Sequence, residues 1–381
     1  MSLATEQKKT YLEYISTRFY EAESFRALTE RLSKGGPEEV AVTGLAGSSP
    51  ALLLAGLAQK TDRPILAVAS ESDGAYNLFD DLSFLIGEGG VFFFPPRGVP
   101  PYDFRSPGAE ITAQRLATLA ALDAGRARII VTSIEALVEP TISPDDFRAS
   151  SLRLRVGDEI DIESLSKKLT GLGFNRVPLV EEIGDFARRG GLVDFFSPGF
   201  EYPVRVEFFG DSIDTIRQFD VSNQRTSRML DEVAILPRRE VLITQETVEQ
   251  YIERLPEDDA DLPGLEWLAF SFGIKPGSLC DFLSADCIFF LEGKLPLTEK
   301  VKELEKEAGH HYERLKQRML TVPTPAQFYR NLEPLQQSID ESRRLVHYPF
   351  RHPDMEMLDF HCREHPAIGS RFDLLAATIA G

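Results

Sequence analysis

The sequence lacks an apolar run long enough to cross a lipid bilayer. Its longest run, ALLLAGLA at 51–58, suits a buried helix, whereas a membrane-spanning helix needs about 20 apolar residues. The first residues, MSLATEQKKTYLEYI, contain no apolar signal region either. These absences predict a cytoplasmic protein with no membrane partner.

Cysteine is scarce, which excludes a fold held together by disulfides. The cysteines Cys280, Cys287 and Cys362 are an odd and sparse set, as is typical of reduced thiols in the cytoplasm. A chain of 381 residues is also too long for one ordinary hydrophobic core, so we expect two or three domains.

Positive charge is in short supply. Acidic residues number 60 against 42 basic ones, which gives a formal net charge of −18 and a sequence pI near 4.9. Surfaces that gain affinity by releasing counterions from phosphates are usually basic, and the sequence has no long Lys/Arg run. The composition therefore disfavours a free-standing nucleic-acid binder and favours a protein partner that carries its own positive charge.

Apolar stretches alternate with helical patterns early in the chain. Short apolar strands are predicted within 38–58, 63–70, 91–96 and 126–140, and 109–122 has apolar residues at helical spacing. Continuous apolar strands that alternate with helices predict a parallel sheet covered on both faces, hence an α/β fold.

The pattern changes near residue 150. Strands at 191–196, 203–209 and 213–219 are joined by short turns, so they must be antiparallel, and we interpret 150–238 as a small inserted α+β domain. Helices are predicted again at 244–255, 264–272 and 298–320, with a strand at 287–293 between the last two. The last residues, RFDLLAATIAG, end in a helical pattern without a cap, which suggests a piece of a longer protein.

The predicted domain boundaries follow from these changes. They are N-terminal helices at 1–25, the first scaffold part at 26–149, the inserted domain at 150–238, the second scaffold part at 239–345, and a linker with the start of a further domain at 346–381. The linker itself is predicted near 345–357.

A glycine-rich turn, GLAGSSPA at 44–51, lies where a phosphate-binding loop belongs. A working loop reads G-x-x-x-x-G-K-[ST], with Lys on the β- and γ-phosphates and a hydroxyl on Mg²⁺. With Gly44 and Gly47 kept on that frame, the lysine position holds Pro50 and the hydroxyl position holds Ala51. Since Pro50 also lacks a backbone N–H, we interpret the turn as a degenerate nucleotide loop without a cofactor.

Other chemistry finds little support in the sequence. The strand CIFFLEG should end in Asp-Glu to hold Mg²⁺, but Leu291 precedes Glu292. Cys362 and His365 could meet a zinc ion, yet no second ligand pair has suitable spacing. The sequence therefore predicts no catalytic residue, no metal site and no ATPase activity.

One predicted strand, 203–209, carries an unusual outward set of side chains. Alternation places Val204, Val206 and Phe208 on the core face, and Arg205, Glu207 and Phe209 on the other. Around it, residues 186–228 contain six arginines and no lysine, and arginine is enriched in interface cores while lysine is depleted.

Two interpretations of these arginines remain open. They could form surface ion pairs with Glu201, Glu207 and Asp214, each worth only about 0–1 kcal/mol. An outward Phe209 on the same face instead favours a protein interface.

The stretch FARRGGLVDFFSPGFEYPVRVEFFGDSIDTIRQFDVSNQRT resembles the UvrA-binding domain that the excision-repair helicase UvrB shares with the transcription-repair coupling factors, the Mfd family. GLAGSSPALLLAGLA, PPYDFRSPGAEITAQRLATLAAL, RIIVTSIEAL and LTVPTPAQFY extend the resemblance to the coupling factors over roughly 10–345. The broken nucleotide loop, and a segment at 92–108 too short for the DNA-probing hairpin of UvrB, favour the coupling factors over UvrB.

The resemblance implies a degenerate helicase-like (P-loop NTPase-like) scaffold with an inserted UvrA-binding domain. Its UvrA contacts fall on Arg189, Arg205 and Phe209, with Glu207 on the same strand and Arg188 a weaker addition. It implies a non-catalytic module that recruits UvrA for nucleotide excision repair at a stalled RNA polymerase. ATP, Mg²⁺, the DNA translocase, the RNA polymerase contact and a C-terminal domain that masks the UvrA-binding face would belong to the rest of the parent protein.

Two other functions compete with this one. A UvrB-like ATPase or helicase with an unusual loop would hydrolyse ATP. A DNA-binding module would direct the arginines at phosphates, which the acidic pI disfavours.

Overall fold

The structure, a computed structural model, describes residues 3–34, 36–87, 89–103, 105–240, 276–317, 324–329 and 332–363. The helices predicted at 244–255 and 264–272, and the helical pattern at 371–381, lie outside these ranges.

The regular elements are numbered in chain order within the described ranges. The helices are α1 (Leu3–Tyr20), α2 (Glu23–Ser33), α3 (Ser49–Lys60), α4 (Ser72–Ile86), α5 (Ala109–Asp123), α6 (Ile134–Val138), α7 (Pro144–Ala149), α8 (Ile162–Gly171), α9 (Leu297–Lys316) and α10 (Leu332–Glu341). The strands are β1 (Glu38–Thr43), β2 (Ile65–Ala69), β3 (Val91–Phe94), β4 (Ile129–Ser133), β5 (Leu152–Arg155), β6 (Asn175–Arg176), β7 (Asp185–Arg189), β8 (Leu192–Phe195), β9 (Val204–Phe209), β10 (Ser212–Phe219), β11 (Thr226–Leu230), β12 (Glu232–Ile235), β13 (Ile288–Glu292), β14 (Arg343–His347) and β15 (Met357–Asp359).

The apolar strands form one large parallel sheet. Its order is β15-β1-β14-β13-β2-β4-β3, and every neighbouring pair is parallel. Strands β2 and β4 are buried along their whole length, as expected for a sheet with helices on both faces. The predicted α/β fold with a parallel sheet is confirmed.

Alternation along β2 shows how the two helical layers share the sheet. Leu66 and Val68 pack into the core that α5, α6, α9 and α10 cover, whereas Ile65 and Ala67 pack into the core beneath α2, α3 and α4. Since successive side chains of a strand point to opposite faces, an apolar run of this length needs both layers.

The inserted region has a sheet and a core of its own. Six strands lie in the order β11-β10-β9-β8-β7-β6, and α8 packs on one face. Strands β8, β9 and β10 are antiparallel neighbours, which confirms the prediction for those three. The sheet is larger than predicted because β7 (DFARR) and β11 (TSRML) contain too few apolar residues to stand out as strands. Strands β5 and β12 pair where the inserted region begins and ends.

The predicted linker at 345–357, and the domain boundary at 346, are wrong. Strand β14 lies between β1 and β13 near the middle of the large sheet, and β15 adds to its edge beside β1. The prolines that suggested a linker lie in the loop between these two strands, at Pro349 and Pro353. This segment therefore belongs to the scaffold.

Candidate functional site

The outward side of β9 and its neighbours forms the candidate docking surface. Val204 and Val206 are fully buried beneath the sheet, while Phe209 on the opposite side is 84% exposed. We call this opposite side the outer face. Strand register fixes its other members, and we define it by these residues: Arg189, Asp194, Arg205, Glu207, Phe209, Arg217 and Met229.

A buried carboxylate organises the arginines of the outer face. Asp194, only 1% exposed, lies directly across from Arg205 in the register of β8 and β9. Arg205 donates to both oxygens of this carboxylate, from Nε at 2.6 Å and Nη2 at 2.8 Å. Arg189 adds a third hydrogen bond from its Nη2 at 2.8 Å. A buried carboxylate is costly unless it is paired in this way.

Three side chains hold the Arg205 guanidinium in place: Asp194, Gln224 and Phe219. Its Nη2 also donates to Oε1 of Gln224 at 2.9 Å, and its guanidinium carbon lies 4.4 Å from the centre of the Phe219 ring. The hydrogen bonds to Asp194 raise the pKa of Arg205 despite partial burial. Arg205 is therefore a permanently charged and largely immobile part of the surface, not a free side chain.

Arg189 differs from Arg205 in its access to solvent. Its side chain remains 48% exposed although it bonds to Asp194. Nearby, Glu207 accepts a hydrogen bond from Nη1 of Arg217 at 2.8 Å. Ion pairing on the outer face thus uses Glu207, as one interpretation of the sequence expected, but Glu201 and Asp214 form no ion pair with a described arginine.

Arg188 lies on the other side of the sheet. It pairs in register with Val193, which belongs to the core face, and its Nη1 donates to Glu163 of α8 at 2.5 Å. Adjacent strand residues point to opposite faces, so Arg188 and Arg189 cannot serve one surface. Arg188 therefore lies apart from the other predicted docking residues, on the face that α8 covers.

Asp194 is the residue that sequence reasoning missed. The signal was present as a single charge inside the apolar strand LVDFF. A charge at such a position requires partners nearby, and arginines on either neighbouring strand could have been proposed as those partners.

The degenerate nucleotide loop keeps its glycine turn but lacks the lysine and the hydroxyl that bind phosphate and Mg²⁺. Gly44 and Gly47 have φ values of 70° and 56°, a left-handed conformation that favours glycine. Pro50 lies in the first turn of α3, and the Ala51 methyl group is fully buried in the scaffold. Neither position presents a cation or a hydroxyl to the loop.

Strand β15 and the residues after it pack against the loop. The Cys362 N–H donates to the Gly44 carbonyl at 2.7 Å, and a Cβ added to Gly44 would lie 2.3 Å from Oδ1 of Asp359. A carboxylate so close to the loop repels phosphate.

A cavity of about 550 Å³ lies beside this loop. Its walls include the carboxylates of Asp81 and Glu292, and none of its lining residues is Lys or Arg. Glu292 accepts hydrogen bonds from the N–H and the hydroxyl of Ser70, and burial lowers the pKa of His347, whose Nε2 has no partner. An uncompensated acidic cavity is a poor place for a triphosphate.

The remaining candidates for metal or thiol chemistry are weak in the part of the chain that the structure describes. No group of three or more His, Cys, Asp or Glu side chains is placed to hold a metal ion there. Burial raises the pKa of Cys280 and of Cys287 to about 12, so both thiols stay protonated. His365 lies outside the described residues. No described helix is long and apolar enough to cross a membrane.

Comparison with known proteins agrees with this architecture. Residues 152–240 match the family model described as the UvrB interaction domain, and they include the whole outer face. The fold and this match together define a class: a helicase-like α/β scaffold that carries a UvrB interaction domain.

Between 58% and 78% of the chain is similar to curated transcription-repair-coupling factors. Identity is 39% over 230 residues with that of Myxococcus xanthus (58% of this chain, 19% of the relative) and 26% over 327 residues with that of Bacillus subtilis strain 168 (78% and 28%). A Staphylococcus aureus factor is 29% identical over 220 residues (58% and 19%). The chain thus spans between a fifth and three tenths of these relatives, and its resemblance to transcription-repair coupling factors is confirmed.

Proposed function

We propose that this chain is a non-catalytic module of transcription-coupled nucleotide excision repair that recruits UvrA. The outer face carries the proposal. It combines an exposed aromatic ring, Phe209, with a preorganised arginine, Arg205, inside the segment that matches the UvrB interaction domain. Aromatic and arginine side chains that are already ordered are the usual anchors of protein interfaces.

The charge of the outer face indicates the chemistry of the partner surface. Arg205 and Arg189 both pair with the single carboxylate of Asp194, so these three side chains together carry one net positive charge. Arg189 is the more exposed of the two, so it is the one able to reach a partner carboxylate. We therefore expect an acidic patch with an apolar pocket on UvrA.

The absence of catalysis is part of the same proposal. Pro50 and Ala51 replace the phosphate and metal ligands, and Asp359 lies against the loop. The main rival is a UvrB-like ATPase, which predicts that ATP with Mg²⁺ raises the melting temperature and is hydrolysed. In the parent protein, ATP-driven translocation on DNA and contact with RNA polymerase would belong to the length that this chain does not span.

The test is calorimetric binding to purified UvrA with a matched pair of variants. Phe209→Ala removes an exposed aromatic ring from the outer face, and Phe84→Ala removes one that is 70% exposed on α4 of the scaffold. An interface anchor contributes at least about 2 kcal/mol, so Phe209→Ala should weaken binding roughly 30-fold or more while Phe84→Ala leaves it unchanged.

Two different results would contradict the proposal in different ways. Equal affinity of both variants would place the docking site elsewhere, and no binding by the wild-type chain would refute UvrA recruitment. Neither position is buried, so melting temperatures of both variants should stay close to the wild-type value.

A further inference from the structure

A second cavity lies where the inserted region joins the scaffold. It measures about 190 Å³, and four separate segments line it, one of which contributes only Ile183. Arg97 follows β3, Arg238 and Arg239 follow β12, and Thr112 belongs to the first turn of α5. Three guanidinium groups around one small cavity are unusual in a chain with a net charge of −18.

The carboxylate that lines this cavity is already compensated. Glu240 accepts hydrogen bonds at Oε2 from Arg97 Nη2 at 2.8 Å and from Thr141 Oγ1 at 3.0 Å, and Arg115 bonds to both of its oxygens. Burial alone would raise the pKa of Glu240, but Arg115 and Arg97 outweigh it and hold the value at about 2. Glu240 therefore stays ionised and keeps Arg97 oriented at the cavity wall.

Arg238 supplies positive charge without a matching partner. It forms no ion pair with a described carboxylate, and Asp185 and Glu182 act on it only through their charge. Its stem packs against Gly184, where an added Cβ would lie 2.5 Å from Nε of Arg238. Burial and, after it, the neighbouring Arg239 lower the pKa of Arg238 and outweigh the opposing charges of Asp185 and Glu182.

The N-terminus of helix α5 adds partial positive charge to that of the arginines. Two residues of its first turn, Ala109 and Thr112, line the cavity. The helix is 15 residues long. The capping residue, Gly108, has no side chain to accept from the first-turn N–H groups, and the acidic residue of that turn, Glu110, is exposed and does not line the cavity. The N-terminus of such a helix carries partial positive charge and unsatisfied donors, which suits a bound anion.

We infer that this junction cavity binds one phosphate group, either free or as part of a phosphodiester backbone. The arginines provide planar donors that match a phosphate, and α5 provides backbone donors from another direction. The volume lies below the roughly 300–1,000 Å³ of sites for larger ligands, so a single oxyanion fits better than a whole nucleotide. A phosphate here would contact both the scaffold and the end of the inserted region.

The test uses the full chain and titrates it with inorganic phosphate at constant ionic strength in a calorimeter. Arg238→Gln should weaken saturable binding about ten-fold or more, because it removes a charged hydrogen-bond donor. Arg126→Gln removes an exposed arginine outside the cavity and should leave binding unchanged.

A second variant, Thr112→Asp, tests the site without relying on the folding of Arg238→Gln. Thr112→Asp places a carboxylate in the cavity and in the first turn of α5, where an acidic residue stabilises a helix, so it should abolish phosphate binding while the chain stays folded. Non-saturable binding, or equal loss in Arg126→Gln, would overturn the inference. If a short DNA duplex displaces phosphate and fails to bind Thr112→Asp, the phosphodiester is the source, and if only phosphate binds, the free ion is.

Discussion

Asp194 shows how one residue determines the behaviour of its neighbours. Its carboxylate is buried within a strand, and its three hydrogen bonds come from two arginines that the sequence alone would place as free docking residues. Arg205 therefore has a structural role as well as a proposed binding role. A loss of UvrA binding in Arg205→Ala would not separate the two, whereas Phe209→Ala does.

Arg205→Ala should destabilise the inserted domain. Asp194 would keep only its bond to Arg189, and breaking a buried ion pair from one side costs about 3–5 kcal/mol. Urea unfolding should show this loss, and the double variant with Asp194→Ala should be less destabilised than the sum of the two single variants.

The control for this prediction is another arginine of the same sheet. Arg228 on β11 is exposed and has no ion pair with a described carboxylate, so Arg228→Ala should change the unfolding free energy by less than about 0.5 kcal/mol. Similar losses in both variants would contradict the role assigned to Asp194.

Strand β15 is the element that most changes the interpretation of the nucleotide loop. It adds to the sheet beside β1, and Phe360 and Cys362 beyond it donate backbone hydrogen bonds to Thr43 and Gly44. The loop is thus degenerate in sequence and also covered by backbone from a distant part of the chain. The contact between this loop and β15 can be tested by comparing Gly44, which lies at the contact, with Gly47, which does not.

Gly44→Ala should loosen β15, whereas Gly47→Ala should not. Both glycines have a left-handed conformation, which costs a non-glycine residue about 1–2 kcal/mol. A Cβ on Gly44 would also lie 2.8 Å from the His361 backbone nitrogen, while a Cβ on Gly47 meets nothing within 4 Å. Gly44→Ala should therefore be the less stable of the two in urea.

Hydrogen exchange distinguishes the mechanism. The amide of Cys362 should lose protection in Gly44→Ala and keep it in Gly47→Ala, because only the first substitution pushes β15 away. Equal protection in both variants would show that the clash is absorbed elsewhere.

The hydrophobic cores of the protein follow its two large sheets. The inserted region has a core separate from the two cores of the scaffold, and its ends meet where β5 pairs with β12. The ion cluster of Arg97, Arg115 and Glu240 is the junction between the two parts. Such a region has what it needs to fold alone.

Residues 150–240 expressed alone should fold cooperatively. Their separate core and adjacent ends predict a sigmoidal thermal transition and the same UvrA affinity as the full chain. Excising them removes the pairing of Glu240 with Arg115 and Arg97, so replacing Glu240 by Gln in the excised domain should leave its melting temperature unchanged. A non-cooperative transition would show that the scaffold is needed for folding.

The sequence by itself determined the parallel sheet, the three central strands of the inserted domain and the outward position of Phe209. Each follows from local periodicity, since an apolar run or a strict alternation reports burial directly. Tertiary structure alone decided that Arg188 and Arg189 serve opposite faces, that Asp194 holds Arg189 and Arg205, and that β14 and β15 complete the scaffold. These features depend on strand register and on contacts between distant segments, which no local pattern encodes.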